Sequence, residues 1–265
     1  MEREGGYVSI SDASVPNAGR IYDFLLGGNH NFEIDRTAAQ KLKDDYPEVV
    51  QNMRLIRWFL GEAVRRLCAE GFTKFLDYAS GLPTVDHIHY VAPKGTNVVY
   101  SDIDPVTVSY GQEIVKELPN VAFVRADAGT PEQILATDVV RRLVGAGQKI
   151  AIGFSGIAWF LPDEKVAHAL KVLYDWTGAG SKLFISDAFT NSTDPLGKLE
   201  SFFAKVNQPV FTRTERRFRE LIGEWRLCEP GAQPLEKWLE IDPSFKQGGT
   251  ISEAGTLVGA FLAKE

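Results

Sequence analysis

Four polar residues stand out because each closes a short apolar run. Asp77 follows Phe75 and Leu76, Asp102 follows the run at 97–100, Asp127 the run at 121–124, and Ser155 the run at 150–154. Short apolar runs alternating with helical patterns predict βαβ units and a parallel sheet. The carboxyl edge of such a sheet is where helix N-termini gather and ligands bind. Asp102, about 25 residues beyond Asp77, suits a carboxylate that accepts two hydrogen bonds from a ribose diol. Asp127 suits a hydrogen bond from an exocyclic adenine amine, with the Ala128 N–H serving a ring nitrogen. Singly, an aspartate at such a place is more often a capping or turn residue. Three at successive strand ends point to a nucleoside site.

The elements that must position them follow from the chain in order. Residues 73–84, TKFLDYASGLPT, read as a strand closed by Asp77 and a tight turn of mostly small residues through Gly81. Leu82-Pro83-Thr84 then starts a helix continuing over 86–91, because proline's fixed φ suits a first helical position. Asp104-Pro105 marks the next helix, over 106–118, with Asp104 as N-cap. Thr130 and Gln133 form a capping box opening a helix to Val144, and Thr212 with Glu215 a second one opening a helix over 213–224. A helix covers 163–176, strand five covers 182–186 and ends at Asp187, and a helix is expected around 196–206. Residues 225–228 read as strand six, the glycine- and proline-bearing 230–249 as a long connection, and 256–262 as a final strand.

Upstream, two amphipathic helices are predicted over 33–46 and 47–70, the second with Gly71 as C-cap. Its arginines, 54, 57, 65 and 66, read as a solvated or partner-facing side. Before them lies an odd string, RIYDFLLGGNHNF at 20–32, an apolar helical turn stopped by Gly27-Gly28. It is either a helix docked on the core or a lid bringing Arg20, Tyr22 and Asn31 over a pocket. Residues 1–10 read as a loose terminus. The chain thus divides into a helical N-terminal extension, 1–72, and an α/β core, 73–265.

Bulk properties narrow the class. The 265 residues are 44% hydrophobic and 24% charged, an ordinary globular composition. A formal net charge of −6 argues against nonspecific nucleic-acid binding, which needs a basic field. There is no signal peptide and no apolar run near the ~20 residues that span a bilayer, so the cytoplasm is expected. Cys68 and Cys228 read as buried thiols. The four histidines, His30, His87, His89 and His168, lack metal-ligand spacing, so no metal is expected. His87 and His89 read as flanking a helix face.

The order of these pieces from about Thr73 resembles the class I S-adenosylmethionine-dependent methyltransferases. More narrowly, the chain resembles an S-adenosyl methyltransferase family of unknown function, common in actinobacteria. The resemblance is carried by RIYDFLLGG at 20–28 with Asn31-Phe32 and Asp35-Arg36, by Phe75-Leu76-Asp77 with Gly81-Leu82-Pro83-Thr84, and by Asp102-Ile103-Asp104-Pro105. It covers nearly the whole chain. It implies a Rossmann-like seven-stranded, mostly parallel sheet with an antiparallel last strand, helices on both faces and an N-terminal lid. It implies S-adenosylmethionine as cofactor. Asp77, Ala79, Ser80 and Gly81 would pack at the methionine moiety, Asp102 and Ile103 at the ribose, and Asp127 and Ala128 at the adenine. Ser155 would line the methyl-donor end, Arg20 would offer charge to the cofactor carboxylate, and Tyr22 a hydroxyl. One departure stands at the turn: the class has a D/E-x-G-x-G-x-G pattern, and here only Gly81 of the three glycines is kept. A methyl group at Ala79 is expected to crowd the backbone's approach to the cofactor.

His30 and Asp187 are the candidates for a general base, and Trp159 for a wall of the acceptor pocket, whose mouth the lid and residues 189–209 would shape. The leading expectation is a methyltransferase acting on a small molecule, with no membrane or nucleic-acid partner. Two alternatives stay open: a noncatalytic module that binds the same nucleoside, and an NAD-dependent oxidoreductase. Against the last, strand one lacks G-x-G-x-x-G.

Overall fold

A computed structural model describes residues 14–84, 86–190, 203–204, 208–241 and 256–265. The parallel strands are β1 (Lys74–Asp77), β2 (Asn97–Asp102), β3 (Val121–Arg125), β4 (Ala151–Phe154) and β5 (Lys182–Phe189). Two dipeptide strands, β6 (Arg226–Leu227) and β7 (Gln233–Pro234), and the long β8 (Thr256–Ala263) complete one sheet of order β3-β2-β1-β4-β5-β8-β6, with β7 also on β8. β8 runs antiparallel to β5 along its full length. The expected sheet is therefore present, enlarged by the short β7.

Both faces of the sheet are covered, which explains why its strands are continuously apolar rather than alternating. Phe75, Val98 and Tyr100 point into one hydrophobic core, and Leu76, Val99 and Ile152 into the other. Helices α1 (Ala18–Leu25), α2 (Glu33–Asp45) and α3 (Val49–Ala69) precede β1. Leu55, Phe59, Ala63 and Leu67 of α3 sit in the first core together with residues of β1 and β2. Close approach of α3 to the sheet depends on Gly259, where a Cβ would lie 2.5 Å from the Phe59 ring. A smaller cluster, Ile21, Leu25, Ala39, Leu42 and Val49, joins α1 and α2 to the start of α3.

The remaining helices are α4 (Ile88–Val91), α5 (Pro105–Val115), α6 (Glu132–Leu135), α7 (Asp138–Leu143), α8 (Asp163–Trp176), α9 (Glu215–Leu221) and α10 (Leu235–Trp238). Several boundaries differ from those predicted. Among the described residues, no helix begins at Leu82-Pro83-Thr84; the next one is α4, and Asp86 before it has φ 68°. The His87 imidazole caps α4, its Nδ1 accepting the Ile88 N–H at 2.9 Å. The Thr130 box does not form. Its hydroxyl is buried without a partner, and the single helix expected to Val144 breaks at Thr137, which caps α7. At the second box, Thr214 rather than Thr212 caps α9, accepting the Arg217 N–H at 3.1 Å. The helix expected at 196–206 lies mainly outside the described residues, as does the terminus at 1–10. Much of the connection at 230–249 lies outside them too.

Candidate active site

Parallel pairing in the order β3-β2-β1-β4-β5 sets Asp127, Asp102, Asp77 and Ser155 in a row along one sheet edge. The chain leaves β1 toward β2 and β3, then returns to β4 and β5 on the other side. The edge at β1 and β4 is thus the topological switch point where such sheets bind ligands.

The turn after β1 is held from beneath. Ser80 and Ser101 hydroxyls donate to the Asp77 carbonyl at 3.1 and 3.0 Å, and the Ser80 N–H donates to the Ser101 carbonyl at 2.7 Å. His87, fully buried, donates from Nε2 to the Ser80 carbonyl at 3.0 Å. Donation there and acceptance at Nδ1 fix a neutral tautomer, and burial, then the nearby Arg57 charge, pushes its pKa well below the usual range. His87 is therefore a pillar of the turn rather than a residue flanking a helix face. Gly81 has φ 59°, with open space where a Cβ would stand; Ala79 has φ 51° in the same left-handed region. The Asp77 carboxyl is buried, and its Oδ2 has no hydrogen-bond partner. Burial pushes its pKa to about 7, offset in part by Ser80 and Arg57.

Asp102 is the last residue of β2, which runs two residues past its predicted end. Its carboxylate accepts the Gly81 N–H at 3.0 Å and the Asp104 N–H at 2.9 Å. A carboxylate has about four acceptor sites, so capacity remains for a diol. Burial raises its pKa to about 6 against the help of those N–H groups. Ile103 beside it is 43% exposed, an apolar surface waiting at the sheet edge. Asp127 is half-buried and accepts the Gly129 N–H at 2.8 Å, and Ala128 is buried. The Ser155 hydroxyl lies 3.0 Å from that of Ser186.

Above the turn, α1 and the loop after it form one wall of a cavity of about 370 Å³. Tyr22, His30, Arg54, Arg57, Trp58, Leu82 and Thr84 are among its lining residues. Gly27 has φ 86°, and Gly28 is needed for a different reason: a Cβ there would lie 2.1 Å from Asp23 Oδ1. Asp23 in turn accepts the His30 N–H and the Asn31 side-chain N–H, each at 2.9 Å. The His30 ring rests edge-on against Tyr110, and its Nδ1 is buried without a partner.

Arg20 does not line this cavity. It is 1% exposed, donates from Nε to Asp35 Oδ2 at 2.7 Å and from Nη2 to the Val15 carbonyl at 2.7 Å, and lies 3.4 Å from Asp104. Its guanidinium is committed to holding α1 on the core. Arg57, by contrast, lines the cavity. Its guanidinium lies 5.5 Å from the Tyr22 ring centroid, influences Asp77 and His87 electrostatically, and keeps a buried Nη1 without a partner. The Tyr22 hydroxyl donates to the Met53 carbonyl at 3.2 Å.

Asp187 and Trp159 are not among the residues that line the cavity. Strand β5 extends past its predicted end, so Asp187 falls inside it, 1% exposed and 3.2 Å from Arg213 Nη1. Trp159 is buried in the core. Cys68 and Cys228 are free thiols, half-buried. Among the described residues, no group of three or more His, Cys, Asp or Glu is placed to hold a metal, and no helix is long and apolar enough to cross a membrane.

A mostly parallel sheet of this order, with an antiparallel strand beyond β5 and a nucleoside-suited edge, is the methyltransferase fold. The chain belongs to the S-adenosyl methyltransferase family, which residues 7–259 match, and whose cofactor is S-adenosylmethionine. A crystal structure from Thermobifida fusca YX, provisionally assigned as a methyltransferase, is 30% identical, with TM-score 0.87 over 96% of this chain and 97% of that one. A DUF574 family protein from Streptomyces avermitilis MA-4680 is 27% identical, with TM-score 0.86 over 96% and 99%. The fold extends to magnesium protoporphyrin IX methyltransferase from Synechocystis PCC 6803 with bound SAH, 12% identical, TM-score 0.53 over 92% and 93%. No curated protein is detectably similar to the chain.

The residues present fit that cofactor. Among the described residues, Arg57 Nη1 has no hydrogen-bond partner, Asp102 retains acceptor capacity, and Ile103 offers apolar surface next to it.

Proposed function

We propose that the protein methylates a small-molecule acceptor in the cavity between the turn after β1 and a lid formed by α1 and its following loop. The observation that carries this reading is Arg57, a buried, unpartnered guanidinium nitrogen in a cavity wall shared with Leu82 and Thr84. A buried donor of this kind is costly unless an acceptor completes it, and the carboxylate of the cofactor supplies one.

When bound, S-adenosylmethionine supplies a methyl group already activated on a positively charged sulfur, so placement and proton removal are what the chain must add. Asp102 accepts the ribose hydroxyls on the sites that Gly81 and Asp104 leave free, and Ile103 packs against the base. Asp127 and Ala128 meet the adenine edge. Ala79, Ser80 and Gly81 form the floor beneath the methionine portion, with Asp77 anchoring that floor. Arg57 takes the carboxylate, Arg20 fixes the lid that carries Tyr22, and Ser155 lines the donor end. His30, whose Nδ1 has no partner, accepts the proton that an acceptor hydroxyl or amine gives up.

Calorimetric titration with S-adenosylhomocysteine tests the assignment. Micromolar binding is expected, weakened at least about tenfold by Asp102→Ala and by Arg57→Gln, as loss of a charge-assisted hydrogen bond requires. Unchanged affinity in both variants would overturn it. Binding without turnover across a broad acceptor panel would favour a noncatalytic role.

A further inference from the structure

Arg54, Arg57 and Trp58 lie three and four residues apart on α3, hence on one face, and all three line the cavity. The other arginines of this helix, Arg65 and Arg66, are paired with Glu62. Arg54, by contrast, has no ion pair or hydrogen bond among the described residues, so its charge in the cavity wall is uncompensated there. Trp58 is 40% exposed although it is a large apolar side chain, so an aromatic face is open beside the Arg54 cation. His30, whose buried Nδ1 has no partner among the described residues, lines the same cavity.

With Arg57 assigned to the cofactor, one cation remains for the second substrate. Asp23 and Asp86 line the same cavity. Either kind of anion would face these two carboxylates, and the single guanidinium of Arg54 compensates one added negative charge but not the two of a phosphate ester. The cavity, about 370 Å³, lies at the lower end for ligand pockets and also receives the cofactor's carboxylate at Arg57, so the acceptor has only part of it, room for a compound of one ring. We infer that the methyl acceptor is a small aromatic monocarboxylate. Its carboxylate is held by Arg54, its ring lies against Trp58, and its hydroxyl or amine faces His30. This rests on the methyltransferase reading above.

The test uses the full chain saturated with S-adenosylhomocysteine and titrated with the three hydroxybenzoate isomers, the matching neutral hydroxybenzamides, 4-hydroxybenzylamine and phenyl phosphate. At least one carboxylate is expected to bind about tenfold more tightly than its amide, the worth of a charge-assisted contact. Arg54→Gln is expected to erase that preference while leaving the affinity for S-adenosylhomocysteine unchanged, which also shows that the variant folds. Trp58→Ala is expected to weaken carboxylate and amide alike. The inference is overturned if the amide or the amine binds as well as the carboxylate, if phenyl phosphate binds better, if no probe binds at millimolar concentration, or if Arg54→Gln keeps the preference. The S-adenosylhomocysteine titration stands apart: its failure alongside a surviving carboxylate preference would remove the methyltransferase reading and leave the anion site.

Discussion

Arg20 on α1 reaches across 84 positions of sequence to Asp104, the residue that caps α5, with Nη1 3.4 Å from Oδ2. Asp104 lies two residues after Asp102 and donates its own N–H to the Asp102 carboxylate. The lid is thereby tied to the loop that places the ribose-suited carboxylate. Asp35, on α2, takes the other side of the same guanidinium and also accepts the Asn17 and Phe32 N–H groups. All three charges are buried, so each depends on the others for compensation.

Removing the cation should therefore unseat the lid. Arg20→Ala is expected to cost about 3–5 kcal/mol in urea unfolding, because it strands two buried carboxylates. Arg20→Lys should not rescue it, since an ammonium cannot reproduce the planar fork that meets Asp35, Asp104 and the Val15 carbonyl. A near-neutral effect of either substitution would show that Arg20 is not the fastening.

The loop after α1 makes a second, independent prediction. Gly28→Ala drives a Cβ into the Asp23 carboxylate, which positions the His30 and Asn31 backbone and side chain. Overpacking of this kind costs about 1–3 kcal/mol. The urea midpoint should fall, and the His30 side-chain NMR signals should shift with it. An unperturbed His30 spectrum would break the link between Gly28 and the cavity.

Asp77 predicts a pH dependence of stability. Its folded pKa of about 7 stands above the ordinary value of 3.8, so between those limits the folded chain holds a proton that the unfolded chain has lost. Stability from this group is present at low pH and falls as pH rises through that window, by up to about 1.4 kcal/mol per pH unit. Asp77→Asn removes the titration. The melting temperature of the variant relative to wild type should rise from pH 5 to pH 8, and a difference that is flat or falls would contradict the assignment.

The strand ends were legible because an apolar run closed by a polar residue is a local pattern, and Asp77, Asp102 and Asp127 each carry one. Asp104 as a cap before Pro105 was legible for the same reason. What decides Arg57 is not local. On the sequence, Arg54, Arg57, Arg65 and Arg66 are equivalent charges on one helix; only the fold turns two of them to a cavity and leaves two beside Glu62. The buried carboxylates that Arg20 meets lie 15 and 84 positions away, so no local pattern announces these pairs. His87 gave no periodic signal at all, since its role depends on the Ser80 carbonyl arriving above it. Asp187 was displaced from the edge by the longer pairing of β5 with β8.

The turn itself yields the last prediction. Ala79 sits at φ 51°, where an L side chain is strained by roughly 1–2 kcal/mol and glycine is not. Its alanine, at a position where the wider class carries glycine, therefore acts on the backbone's own energy. Glycine would relieve the strain but enlarge the conformational freedom of the unfolded chain, an opposing effect of about 0.4–1 kcal/mol. The net expectation for Ala79→Gly is a small gain in stability, up to about 1 kcal/mol by urea denaturation. Because Ser80, Ser101 and His87 fix the turn on either side of this residue, its path should not change. Affinity for S-adenosylhomocysteine should then be equal to or greater than that of the wild type. A loss of stability together with weaker binding would show that the methyl group of Ala79 packs productively at the site.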